Sequence, residues 1–399
     1  MLEHIPAGWH TQTLEYRPTV TNMSSSTQHV VLIPGMFGFS RLAGYDYFLH
    51  ITKALGDRIR TAGEPCEFVA VSAPPTGSIR RRTRVLIDTI EEHCSKGDGP
   101  IHLVGHSTGG LDARLMTSPS TTLDVPSWIE RVRTVVTLNT PHQGTPVAHF
   151  FSTLSGTRLL YALSLLTFAT LRFGGPSLTV FSSWIAFMGR LDDALGVHIK
   201  LLDKSVQLVL RFVEEEGQME VRKLLDGIRR DQGGIIQLTP ESMDIFNAAV
   251  ENSSAVRYGS IASWGPSPGP IRFASSVRSP MAALSATLYS TLHVLASRAS
   301  KTYPYPSPEA TAREKIERAL GREMQDGLND GLVPTASMVW GELLWAGAAD
   351  HLDILGHFHG EPGSTHTDWL TSGAGFREDD FGQAMEAVTD FLLDRRPES

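Results

Sequence analysis

One short stretch constrains the fold of this chain more than any other. An apolar run, Ile101–Val104, leads directly into Gly-His-Ser-Thr-Gly at 105–109, and a helix-like segment follows from Leu111 to Met116. That order predicts a buried strand, a sharp turn and a helix. The flanking glycines leave room for the turn because they carry no β-carbon, and the turn projects the serine hydroxyl from the strand end. The pattern predicts that Ser107 is a nucleophile. A plain glycine-rich turn is the alternative.

Strand and helix patterns alternate along much of the chain, which is typical of a mostly parallel sheet. A serine on a tight strand-to-helix turn is the signature of the α/β-hydrolase fold. We therefore predict an α/β protein, an α/β-hydrolase with a mostly parallel central sheet. The predicted strands are Val30–Ile33, Glu67–Val71, Val132–Leu138 and Ala255–Ile261, and the predicted helices include Tyr47–Ala62, Val85–His93 and Gln383–Leu393.

The length of 399 residues suits a hydrolase core with a sizeable insertion. We predict an N-terminal arm at 1–27, a first part of the core at 28–145, a helical cap or lid at 146–250, and a second part of the core at 251–399. Whether this cap moves or is a fixed helical subdomain stays open.

The predicted cap contains an apolar stretch from Leu159 to Gly189, interrupted by Arg172 and a Gly-Gly-Pro sequence. A membrane span needs about 20 predominantly apolar residues, so a span is one interpretation. Two short apolar helices joined by a turn fit the interruptions better. An apolar cap also predicts transient contact with a lipid interface.

Charge and cysteine content narrow the partners and the compartment. The formal net charge of −8 argues against a nucleic-acid partner. The basic run at 80–84 is interpreted as a solvated or internally paired surface cluster, with an anion site as the alternative. Cys66 and Cys94 are too few for a disulfide scaffold, and either form one bridge or are both free. No signal peptide is visible, which predicts a cytoplasmic protein, or a secreted one whose leader has been removed.

A serine nucleophile needs a base, a carboxylate that orients the base, and donors for the oxyanion. In this fold the acid follows the serine and the histidine follows the acid. Asp330 is the candidate acid because glycines on both sides make a tight loop; an Asx-turn in a surface loop is the alternative. His351 is the candidate base, with a surface or core histidine as the alternative. Other histidines that compete for this role are His357, His359 and His366.

The oxyanion donors are predicted to be backbone N–H groups. One is that of Thr108, directly after the nucleophile, and the other is that of Met36, in the glycine-bounded loop after the first core strand. The histidine group with Asp368 also allows a metal site as an interpretation, but the spacing is not a zinc pattern, so we predict no metal and no cofactor.

Seven short motif islands are found along the chain: Val31–Met36, Gly105–Gly110, Thr140–Gly144, Leu238–Ser242, Phe246–Asn247, Asn329–Val333 and His351–Asp353. Together they resemble the bacterial triacylglycerol lipases of the Pseudomonas/Burkholderia type. The resemblance implies that Ser107 is the nucleophile, His351 the general base and Asp330 its orienting acid, with Met36 and Thr108 forming the oxyanion hole.

The chain departs from that family in the oxyanion loop, where Pro34–Gly35 stands in place of His-Gly. Asp353 matches an aspartate that binds the family's structural calcium, but no second carboxylate is identified, so calcium is not predicted. The expected activity is serine-dependent hydrolysis of esters with a hydrophobic acyl part. A thioesterase, a polyester depolymerase, an acyltransferase and a non-catalytic binding module are the alternatives. The oligomeric state stays open.

Overall fold

The computed structural model describes residues 26–36, 41–42, 45–153, 226–228, 230–269, 280–298, 305–360, 364–368 and 370–395. Within these ranges the core is a six-stranded sheet in the order β4-β1-β5-β6-β7-β8, and every neighbouring pair is parallel. Two short antiparallel strands, β2 and β3, lie outside it. The strands are β1 Gln28–Ile33, β2 Arg41–Leu42, β3 Tyr45–Asp46, β4 Cys66–Ala70, β5 Ile101–His106, β6 Val132–Leu138, β7 Arg257–Trp264 and β8 Glu342–Ala348.

Helices cover both faces of the sheet. In this part of the chain they are α1 Leu49–Thr61, α2 Ile79–Cys94, α3 Thr108–Thr117, α4 Val147–Phe151, α5 Gly233–Gln237, α6 Pro240–Ala249, α7 Pro280–Ala296, α8 Ala310–Leu320, α9 Thr335–Met338 and α10 Glu378–Leu392.

Strand β1 shows why the sheet needs two helical layers. Val30 and Leu32 pack in one hydrophobic cluster with α1 and α10, while Val31 and Ile33 pack in another with α2 and α3. Successive strand side chains point to opposite faces, so an unbroken Val-Val-Leu-Ile run must be covered on both. The prediction of an α/β-hydrolase fold with a mostly parallel sheet is confirmed.

Element boundaries differ from the predicted ones where side-chain caps or tertiary contacts decide them. Helix α2 begins at Ile79 rather than Val85, because the Ser78 hydroxyl accepts the Arg81 N–H at 3.3 Å and caps the helix. Strand β8 was not predicted at all. Its sequence, Glu-Leu-Leu-Trp-Ala-Gly-Ala, contains no β-branched residue, and it becomes a strand by pairing with β7 at the sheet edge.

The structure also bears on the cysteines, the membrane-span interpretation and the predicted cap. Cys66 and Cys94 are both free. Among the residues that the structure describes, no helix has the length and apolarity of a membrane span. The stretch 159–189 lies outside those residues, as does most of the predicted cap, of which α4, α5 and α6 are described. The boundaries of the cap stay a prediction.

Candidate active site

Ser107 occupies the turn between β5 and α3 in a strained backbone conformation. Its φ of 53° and ψ of −125° are rare for a residue with a β-carbon, and such strain clusters at functional sites. The Ser107 N–H donates to the Leu138 carbonyl at 2.8 Å, which ties the turn to the neighbouring strand. A β-carbon at Gly105 would stand 2.5 Å from the backbone of Gly109 and Gly110, so the turn requires glycine there.

Asp330 and His351 meet in the interior although 21 residues separate them. His351 Nδ1 lies 2.6 Å from Asp330 Oδ2, and both side chains are buried. The other oxygen, Oδ1, accepts the N–H groups of Leu332 and Val333 at 2.9 and 2.8 Å. Asp330 therefore forms the Asx-turn that was the alternative interpretation, and at the same time holds His351.

The loop after β1 lies directly against the turn that carries Ser107. A β-carbon at Gly35 would stand 2.7 Å from the Ser107 β-carbon, so this close approach requires glycine. Met36 follows it and is half-buried, and Thr108 begins α3 and is buried. The structure thus places Gly35, which directly precedes the predicted oxyanion residue Met36, against the predicted nucleophile Ser107.

A buried arginine is hydrogen-bonded to the same loop. Arg82 is 2% exposed, and its guanidinium donates to the Pro34 carbonyl at 2.6 Å and the Pro74 carbonyl at 2.8 Å. It also pairs with Asp112 of α3, with Nε 2.9 Å and Nη2 2.8 Å from Asp112 Oδ2. Burial raises the pKa of Asp112 to about 6, although Arg82 lowers it.

The internal pairing that was one interpretation of 80–84 is present at Arg82, but this residue is buried, so the surface location is wrong for it. The surface location holds for Arg80 and Arg81, which are exposed and pair with Thr122 and Asp231. Helical spacing was a usable signal that the sequence analysis missed. Arg82 follows Ile79 by three residues and precedes Leu86 by four, and those two are buried. A charge on the buried face of a helix indicates a partner inside.

Two of the competing histidines, His357 and His366, pack against the ring of His50. His357 is fully buried, and burial lowers its pKa to about 3. The rings of His50 and His366 stack with centroids 4.1 Å apart, and His366 Nδ1 donates to the Gly356 carbonyl at 2.7 Å. His359 is exposed.

Asp353, which the resemblance links to calcium, is turned into its own loop. Its Oδ2 accepts the Asp350 N–H at 2.8 Å, while Asp350 Oδ1 accepts the N–H groups of Leu352 and Asp353. Burial and neighbouring carboxylates raise the pKa of both groups. Across the described ranges, no set of three or more His, Cys, Asp or Glu side chains is arranged to hold a metal ion.

The described end of the predicted cap is attached to the core. The Asn247 amide on α6 donates to the His142 carbonyl at 2.8 Å and to Gln143 Oε1 at 3.1 Å. Two of the motif islands, Thr140–Gly144 and Phe246–Asn247, are therefore in direct contact.

Comparison with known proteins places the likeness around the serine turn. Residues 70–157 match the family model described as a PGAP1-like alpha/beta domain. A triacylglycerol lipase of Vibrio cholerae is 33% identical over 120 residues, which is 30% of this chain and 34% of that lipase. The match thus spans about a third of the relative's length.

Two solved structures overlay on most of the chain. EstA from Clostridium botulinum has 18% identity and a TM-score of 0.48, covering 92% of this chain and 89% of its own. The lipase of Staphylococcus hyicus has 15% identity and a TM-score of 0.45, covering 94% and 98%.

Proposed function

We propose that the protein is a serine carboxylic-ester hydrolase of the lipase and esterase kind. The observation that carries this proposal is the buried 2.6 Å contact between His351 Nδ1 and Asp330 Oδ2, in a fold whose elbow strains Ser107. A hydroxyl nucleophile, an imidazole and a carboxylate in this chain order are the groups that acyl transfer requires. The likeness to a triacylglycerol lipase over 120 residues supports the same chemistry.

The catalytic cycle follows from these groups. Ser107 Oγ attacks the ester carbonyl carbon while His351 Nε2 takes the hydroxyl proton. Asp330 accepts the hydrogen bond of Nδ1, which keeps Nε2 free as the base and stabilises the imidazolium that forms. The Met36 and Thr108 N–H groups donate to the oxyanion of the tetrahedral intermediate.

The intermediate collapses and the alcohol leaves with the proton from His351. Water then attacks the acyl-enzyme, with His351 again as the base, and releases the carboxylic acid and free Ser107. Loss of one oxyanion donor costs about 3 kcal/mol of barrier lowering in related chemistry. Because the donors are backbone groups, displacing the loop matters more than changing the Met36 side chain.

We further propose that the acyl part is hydrophobic and that the chain groups with the Pseudomonas/Burkholderia type of triacylglycerol lipase. The apolar sequence of the predicted cap supports the first point, since each buried CH₂ stabilises binding by about 0.8 kcal/mol. The motif islands support the second. The thioesterase, polyester depolymerase and acyltransferase alternatives use the same groups, whereas a binding module has no need of them.

Hydrolysis of p-nitrophenyl esters from acetyl to palmitoyl, by wild type and Ser107→Ala, tests the activity. We expect a preference for longer chains and a loss of about 10⁶ in kcat for the variant, as in serine proteases. Oxyester and thioester pairs of equal chain length separate the thioesterase, and added alcohol acceptors separate the acyltransferase. Equal rates for variant and wild type would exclude Ser107 as the nucleophile.

Contact with a lipid interface is the corresponding proposal for the cap. Ile236 on α5 and Ile245 on α6 are 59% and 74% exposed, which is unusual for isoleucine side chains. Co-sedimentation with phosphatidylcholine vesicles tests it. We expect weaker binding for Ile236→Ser with Ile245→Ser, and unchanged binding contradicts the proposal.

A further inference from the structure

A buried tyrosine and histidine connect three separate parts of the candidate site. The Tyr47 hydroxyl lies 2.8 Å from His106 Nδ1, and His106 Nε2 lies 2.9 Å from the His351 carbonyl oxygen. Burial raises the pKa of the Tyr47 phenol, whereas the Gly35 N–H that faces its oxygen lowers it. Both side chains are buried, and 59 and 245 residues separate the partners of the two side-chain bonds.

The direction of each hydrogen bond follows from the chemistry of its two ends. A carbonyl oxygen only accepts, so His106 Nε2 must carry the proton and donate to His351. Burial lowers the pKa of His106 well below its usual value, which keeps the ring neutral. A neutral ring protonated at Nε2 has a lone pair at Nδ1, so the Tyr47 hydroxyl donates there. The oxygen of the same hydroxyl then offers a lone pair to the Gly35 N–H that faces it.

These hydrogen bonds connect three backbone segments of the proposed catalytic site. Gly35 precedes Met36, whose N–H is a proposed oxyanion donor, and His106 precedes Ser107 in the strained turn. The third segment is the loop of His351, whose backbone carbonyl accepts from His106. The rings of His106 and His351 are close, with centroids 4.8 Å apart.

We propose that Tyr47 and His106 are positioning residues. They hold the loop of Gly35 and Met36, the turn of Ser107 and the loop of His351 in fixed positions relative to one another. This inference rests on the proposed function. The strand and helix scaffold does not by itself fix these distances, because Gly35 and His351 both lie in loops outside the strands. A displacement of about 1 Å at a reacting group can cost 10²-fold in rate, so the bonds are expected to act on kcat.

The sequence also suggests why a mere space-filling pair is the weaker explanation. A phenol and an imidazole are costly to bury unless their polar atoms are paired, whereas phenylalanine and leucine fill the same space without that cost. Here the Tyr47 hydroxyl and both ring nitrogens of His106 have hydrogen-bond partners.

The test compares Tyr47→Phe with two matched variants of the histidine. His106→Gln keeps an N–H donor near the position of Nε2, while His106→Met has similar length and no donor. We expect Tyr47→Phe and His106→Met to lower kcat for p-nitrophenyl butyrate 10- to 100-fold with KM nearly unchanged. We expect His106→Gln, which keeps the donor to His351 but loses the acceptor for Tyr47, to lower kcat less than His106→Met does. The melting temperature of each variant is measured in parallel.

A second readout is independent of turnover. In ¹H–¹⁵N spectra of the histidine side chains, we expect wild-type His106 to be protonated at Nε2, and Tyr47→Phe to shift its Nδ1 resonance. Reaction with a fluorophosphonate measures the reactivity of Ser107 directly, and we expect it to slow in parallel with kcat. This separates misplacement of the machinery from a change in substrate affinity.

The outcomes distinguish this inference from the function on which it rests. If wild type hydrolyses no ester and takes up no fluorophosphonate, the proposed function fails, and the positioning role fails with it. If wild type is active, the positioning inference alone is overturned by full kcat in Tyr47→Phe, by equal activity of the glutamine and methionine variants, or by an Nδ1 proton on His106.

Discussion

The substitution Asp330→Asn exposes how much of the proposed chemistry depends on one carboxylate. In the wild type, Oδ1 accepts two backbone N–H groups, from Leu332 and Val333, and Oδ2 faces His351 Nδ1. An amide has a single acceptor oxygen and an NH₂ group that only donates. The asparagine oxygen can serve either the turn or His351, but not both.

The turn decides the orientation. If the amide oxygen faced His351, its NH₂ would face two buried N–H donors, and each unsatisfied donor costs about 1–3 kcal/mol. The oxygen therefore stays in the turn and the NH₂ points at His351. His351 Nδ1 must then accept, which leaves the proton on Nε2 and removes the base for Ser107. The corresponding wrong-tautomer change in a serine protease lowers kcat about 10⁴-fold.

We expect a kcat about 10⁴-fold below wild type for Asp330→Asn, with KM and the melting temperature close to wild type. The assay is p-nitrophenyl butyrate hydrolysis with active-site titration, which excludes contaminating wild-type enzyme. Asp330→Ala is the control, because it removes the turn acceptor as well and should lower both kcat and the melting temperature. An Asp330→Asn enzyme that kept more than about a tenth of wild-type kcat would refute the reasoning.

Three further predictions concern stability and loop geometry. Arg82→Met leaves the buried Asp112 carboxylate without its charge partner and should lower the free energy of unfolding by about 3–5 kcal/mol in urea titrations. The double variant Arg82→Met with Asp112→Leu should recover most of this loss, and additive effects of the two substitutions contradict the prediction. Gly35→Ala places a β-carbon 2.7 Å from that of Ser107 and should lower kcat about 10²-fold with little change in melting temperature, and unchanged kcat would rule out the close approach. Burial lowers the pKa of His102 from 6.5 to about 4. Between pH 4 and pH 6.5 the unfolded chain therefore binds a proton at His102 that the folded protein does not bind. The contribution of His102 to stability is therefore present above pH 6.5 and lost toward pH 4, at up to about 1.4 kcal/mol per pH unit, and His102→Gln should flatten the dependence in urea titrations at pH 7 and 5.

Local features of this protein were predictable from its sequence. The turn at Ser107 is written in neighbouring residues, because a strained strand-to-helix turn needs glycine at 105 and 109 and a strand before it. The strands at Val30–Ile33 and Val132–Leu138 were predictable for a similar reason, since β-branched and apolar runs covered on both faces leave a compositional signal. The α/β class follows from how such runs alternate with helices.

Contacts between residues that are distant in the chain are visible only in the folded structure. These contacts pair the predicted base His351 with Asp330, and they place Arg82, which was expected at the surface, in the interior against the loop after β1. The strand β8 also formed only through its neighbour β7. The physical reason is that desolvation and hydrogen-bond pairing depend on which side chains meet in space, and no local pattern encodes a meeting across 245 residues such as that of His106 with His351.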